Sequence, residues 1–217
     1  MQRGLTMGHV VLLGDSIFDN KAYTSGGPDV VTQLQGILPS GWRATLCAID
    51  GATTEDFSRQ VAAIPADASH LVLSLGGNDA LGHTDLLEQR VHSSAEVLDR
   101  FATAAARFET RYRAAVEALR RRALPLTICT IYNGNFPDRD FQRLASTALC
   151  VFNDAIIRVA FENALALIDL RLVCNEPSDY ANPIEPSSHG GAKIARAIAR
   201  AIALPPAADG LSRVLSA

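Results

Sequence analysis

Val10-Val11-Leu12-Leu13-Gly14-Asp15-Ser16 decides how the rest of the chain is read. Four apolar residues in a row suit a strand covered on both faces, because such a run leaves no polar face for water. Gly14 then permits backbone angles that a side chain would block, so the chain turns sharply as the strand ends. A serine just past that turn stands over the C-terminal edge of a sheet, where an open α/β sheet has its crevice. Ser16 is therefore the candidate nucleophile. Taken alone, Gly14-Asp15-Ser16 describes an ordinary turn equally well.

Outward from this stretch the pattern repeats. Residues 43–49, 70–75, 126–132 and 165–170 read as further strands, each running into glycine, asparagine or aspartate. Between them lie helical periodicities: Val30, Val31, Leu34, Ile37 and Leu38 after Pro28, which suits a first helical position; Phe57, Val61 and Ile64, capped by Thr53 or Thr54; and Val97 to Leu119 behind Ser93 or Ser94. Leu144, Leu149, Phe152, Ile156 and Val159 mark a helix over 141–163, and residues 189–202 a last one. Strands alternating with helices predict a parallel sheet with helices on both faces. The expectation is a flavodoxin-like three-layer α/β/α sandwich with a five-stranded sheet in the order 2-1-3-4-5, one domain over 1–217, with 1–8 and 205–217 peripheral.

Composition supports a globular chain. Of 217 residues 48% are hydrophobic and 20% charged, and the formal net charge is −3. That balance gives no electrostatic footprint for nucleic acid or an anionic membrane. No apolar run approaches the roughly 20 residues of a bilayer span, nor the roughly 7–15 of a signal-peptide core, so a cytoplasmic location is expected. Cys47, Cys129, Cys150 and Cys174 lack Cys-x-x-Cys spacing. They read as small buried hydrophobes, with a Cys150–Cys174 disulfide as the alternative.

In a parallel sheet all C-terminal strand ends share one edge. The first three deliver Ser16, Gly51 and Asn78. Acyl transfer needs a nucleophile and donors aimed at the oxygen that turns negative; the N–H groups of Ser16 and Gly51 and the Asn78 amide are candidates. Each has a plainer role in a turn, and it is their convergence that favours catalysis. A serine hydroxyl also needs a base. His9 and His70 start strands, at the far edge, and His92 has no evident route to Ser16. His83 follows the third strand, and His189 opens the last helix within Pro186-Ser187-Ser188-His189-Gly190-Gly191, where the glycines leave room for the ring. His189 is the expected base. Asp19, Asn20 and Asn133, with Phe18, Tyr132, Asn135 and Phe136, follow strand ends and are expected around the substrate.

Taken together, Gly14-Asp15-Ser16-Ile17, Gly51, Gly76-Gly77-Asn78-Asp79 and His189 resemble the blocks of the SGNH (GDSL-type) hydrolases, serine esterases and lipases, in order over nearly the whole chain. The resemblance implies an acyl-serine intermediate on Ser16, His189 as base, an oxyanion hole of Ser16, Gly51 and Asn78, an ester as small-molecule substrate, and neither metal nor organic cofactor. One block departs. The family has Asp-x-x-His, and three residues before His189 stands Pro186. Glu185 is the expected acid, with Asp179 or no acid as alternatives. The rival class is a non-catalytic module binding a small molecule or nucleotide on the same fold, though no Gly-x-Gly-x-x-Gly or Gly-x-x-x-x-Gly-Lys-Ser/Thr is present.

Overall fold

The computed structural model describes residues 7–204 and 211–216. In chain order the elements are β1 (His9–Gly14), α1 (Val30–Ile37), β2 (Arg43–Leu46), α2 (Ser58–Ala62), β3 (His70–Ser74), α3 (Gly77–Leu81), α4 (Ser94–Arg120), β4 (Leu126–Cys129), α5 (Arg139–Glu162), β5 (Ala166–Ile168), α6 (Leu170–Val173), α7 (Ser188–Ala203) and β6 (Val214–Leu215). The strands form one sheet in the order β2-β1-β3-β4-β5-β6, every neighbouring pair parallel. The expected order holds, with a sixth strand added at the edge beside β5.

β1 shows why the sheet sits between two layers. Side chains alternate across a strand, and all six β1 residues are buried. Val11 and Leu13 join the core beneath α4 and α5, with Phe108, Tyr112, Phe152 and Ile156. Val10 and Leu12 face the other way, into the core formed with α1 and α7, with Leu34, Ile194 and Ile198. α5 is long and apolar enough to cross a bilayer by length and composition alone. Its Phe152, Ile156 and Val159 nevertheless pack in the protein core.

Several local expectations shift for identifiable reasons. β2 stops at Leu46 because Cys47 and Ala48 both donate to the Leu12 carbonyl, which ends the ladder. Asp29, not Pro28, opens α1, its carboxylate accepting from Thr32 N. Thr54 caps no helix; its N–H and hydroxyl both go to Asp79, and α2 starts at Ser58. Leu144 lies on the solvent side of α5. All four cysteines are free, with Cys150 exposed rather than buried.

Two buried amides finish strands where no neighbouring strand can. Gln60 on α2 accepts from Gly14 N and donates to Gly14 O, each at 2.7 Å. Asn153 on α5 does the same for Ile131, just past β4, with both bonds at 2.8 Å. Asn153→Leu leaves two backbone groups without partners at the edge of the core. Each such loss costs about 1–3 kcal/mol. The variant is expected to lose about 2–5 kcal/mol in urea denaturation, and a loss below about 1 kcal/mol would show that water replaces the amide.

Candidate active site

Gly14 ends β1, and Asp15 N donates to Ser74 O of the neighbouring strand at 3.1 Å. Phe18 and Asp19 then donate back to Asp15 O, so Ser16 sits on a tight helical turn directly over the sheet edge. Its side chain lines an apolar cavity. The walls are Ile17, Leu81, Leu87, Phe101, Ile131, Phe136, Leu149, Phe152 and Ile184, with Asp15, Asn78, His83, Asn133 and Glu185 as polar members. β3 leads into α3, which presents Asn78 to the same space. One Asn78 amide hydrogen goes to Ala52 O at 3.0 Å. An amide nitrogen carries two hydrogens, so a second donor remains. The N–H groups of Ser16 and Gly51 are engaged by no described carbonyl or side chain. Gly51 takes a φ of +78° in the loop after β2, outside the cavity wall.

Two carboxyl groups flank Ser16. Asp15 is buried, and loss of hydration pushes it up to about 7, with the nearby Glu185 pushing the same way against the Ile17 N–H bond. Glu185 is also buried, at 6% exposure. Desolvation raises its carboxyl to about 7, opposed by the nearby Ser16 hydroxyl and aided by the charge of Asp50. Its Oε2 is buried without a partner.

The loop carrying Glu185 is held on several sides. Tyr132 donates its hydroxyl to Ile184 O at 2.6 Å, and Asn135 N donates to Pro183 O at 2.8 Å. The Asn182 side chain accepts from the N–H groups of Ile184 and Glu185, both at 2.9 Å. Asn20 donates to Pro186 O and accepts from Val30 N. Asn20 is thus fully buried in a structural role, a correction to its expected place around substrate. Asp19 likewise turns away, accepting from Asp50 N, while Asn133 does line the cavity.

His189 is not brought to Ser16. Its side chain is 58% exposed, its Nε2 lies 3.8 Å from Asp179 Oδ1, and no hydrogen bond joins it to the serine or to Glu185. Asp179 itself is fully buried, accepting from Asn175 N, Glu176 N and Lys193 Nζ through Oδ2. The glycines after His189 serve packing rather than room for its ring: a Cβ on Gly190 would lie 2.2 Å from Asp179 O. The other imidazole near the site is His83, in the cavity wall and stacked 6.0 Å from Phe152. Among the described residues no cluster of three or more His, Cys, Asp or Glu is arranged to hold a metal ion.

Residues 12–193 match the GDSL-like lipase/acylhydrolase family. The chain belongs to that family. Solved structures sharing this GDSL-like fold include the extracellular lipase of Streptomyces rimosus, 18% identical, TM-score 0.65, covering 89% of this chain and 99% of that one. A lipase from a goat rumen metagenome is 18% identical with TM-score 0.68 over 90% and 97%. The acetyl xylan esterase AlAXEase is 20% identical with TM-score 0.62 over 87% and 96%. No curated protein matches by sequence. Membership in a GDSL-like family places the chain among hydrolases, and the likeness to these structures establishes the three-layer fold.

Proposed function

We propose that the chain hydrolyses carboxylic esters through an acyl intermediate on Ser16. The observation that carries this reading is the position of the Ser16 hydroxyl. It opens into an apolar cavity beside a buried carboxyl group, with the spare Asn78 amide hydrogen in the same wall. The ester carbonyl would sit over Ser16, its oxygen meeting the N–H groups of Ser16 and Gly51 and the Asn78 amide as it turns negative. The walls from α3, α4 and α5 suit an apolar acyl chain. His189 lies outside this reading, because its ring meets Asp179 and not the cavity.

A fluorophosphonate probe tests the proposal directly: covalent labelling at Ser16 supports it, and absence of both labelling and turnover across esters of graded acyl length leaves the binding-module reading. Asn78→Ala is expected to lower kcat for p-nitrophenyl esters by about 10²–10³ with KM little changed, the usual cost of one oxyanion donor. A change below threefold would remove Asn78 from that role.

A further inference from the structure

We propose that Glu185, without an imidazole, is the base that takes the Ser16 proton. This rests on the ester-hydrolase reading above and assigns its proton carrier. Three observations carry it. Glu185 Oε2 is buried without a partner, and His189, 58% exposed, reaches Asp179 and not the serine. Glu185 lines the cavity that Ser16 lines, whereas His189 does not. The loop 182–186 is pinned by Tyr132, Asn135 and Asn20, so the carboxyl group is fixed before substrate arrives.

The residue three before Glu185 makes the arrangement coherent. Where the family resemblance calls for Asp-x-x-His, this loop reads Asn182-Pro183-Ile184-Glu185. Both residue types are changed at the same spacing. An imidazole becomes a cation when it accepts a proton, and a neighbouring acid stabilises that cation. A carboxylate becomes neutral on accepting a proton, and an aspartate beside it would add like-charge repulsion. Asn182 is neutral, and its side-chain oxygen holds the backbone of Ile184 and Glu185 instead. A base also works best when its own pKa lies near the working pH. Burial moves Glu185 towards that range.

The step balances with groups already present. As Ser16 Oγ bonds the ester carbonyl carbon, its proton passes to a Glu185 carboxylate oxygen and the carbonyl π pair moves onto oxygen. When the tetrahedral adduct collapses, the carbon–alkoxy bond breaks and the leaving oxygen takes the proton from Glu185. Water then repeats the sequence: its proton goes to Glu185, its oxygen bonds the acyl carbon, and the proton returns to Ser16 Oγ as the acid departs. The groups facing Glu185 are Asp15 at the end of β1, Asp50 after β2, Tyr23, Tyr132 after β4, and His83 across the cavity.

The test compares the full chain with Glu185→Gln and His189→Gln, using p-nitrophenyl butyrate from pH 5 to 9 and fluorophosphonate labelling of Ser16. The unaltered protein is expected to gain kcat/KM as pH rises, with an apparent pKa near 7. His189→Gln should keep that limb and stay within threefold. Glu185→Gln should lose about 10²–10⁴-fold, the range of general-base contributions, and lose the limb. The double variant Asn182→Asp with Glu185→His, which installs an imidazole with its acid, should recover part of the loss. A drop of a hundredfold or more in His189→Gln, or near-normal turnover in Glu185→Gln, overturns the assignment while leaving the hydrolase reading intact. Absence of labelling and turnover in the unaltered chain overturns both. His189 is exposed, so its variant decides the question even if Glu185→Gln folds poorly.

Discussion

Ser16→Ala is expected to reduce ester turnover by about 10⁴-fold or more, the scale on which removal of a nucleophile acts when the other groups cannot replace it. No second hydroxyl, thiol or amine takes its place in the cavity wall. Thr84 and Tyr132 are the other hydroxyl residues there, and the Thr84 hydroxyl is donated to Leu81 O at 3.0 Å. Tyr132 is committed to Ile184 O. Stability should hardly change. Ser16 is buried in a turn whose backbone bonds run through Asp15, Phe18 and Asp19, and none of them uses the hydroxyl. The Glu185 backbone is held by Asn182 and not by the serine, so the loop keeps its place when the hydroxyl is removed. Circular dichroism and the melting temperature should therefore match the unaltered protein while p-nitrophenyl ester hydrolysis and fluorophosphonate labelling vanish. Retention of a tenth or more of the turnover would place the chemistry elsewhere.

How far the residues alone reveal this molecule depends on whether a feature is periodic. β1 and β3 are legible because their apolar runs are covered on both faces. α4 is legible because Ser93 caps it where an apolar stripe begins. β6 has only two residues, too few to show alternation, and its pairing with β5 is a tertiary event. Leu144 fits the helical stripe but is exposed once the helix is docked, which periodicity alone does not show. At the site, Ser16 and Asn78 are legible because each follows a strand end directly. Glu185 and His189 are not separable in that way. They lie in and after a loop without periodicity, and which one reaches the serine depends on where Tyr132, Asn135 and Asn20 tie the loop down. Spacing offered one usable signal: counting back three from Glu185, instead of from His189, reaches Asn182. Gln60 offered none, since a glutamine within an apolar helix face reveals its partner only when the helix is docked.

Gly14→Ala is expected to have the largest effect on stability of any single methyl added to the chain's active-site half. Gly14 holds a φ of +128°, a region that L side chains rarely enter, and a Cβ built there would lie 1.6 Å from the Ser74 carbonyl oxygen. Ser74 cannot retreat. Its strand pairs with β1 through Leu73 opposite Leu13, and its carbonyl oxygen is the acceptor for Asp15 N. Nor can Gly14 move outward, because Gln60 grips both its N–H and its carbonyl. Relief therefore requires parting β1 from β3 at the centre of the sheet, with loss of backbone bonds and core contacts together. Costs above about 4–5 kcal/mol come from such combinations, against a total stability of about 5–15 kcal/mol for a domain. The variant is expected to be largely unfolded or to melt far below the unaltered protein. Gly51→Ala is the comparison that isolates the cause. Gly51 also has positive φ, at +78°, but a Cβ there meets nothing within 4 Å. It should lose only about 1–2 kcal/mol, the intrinsic strain of a left-handed residue. If the two variants melt alike, backbone strain and not the collision with Ser74 governs the strand end, and the argument that steric closure between β1 and β3 places Ser16 fails with it.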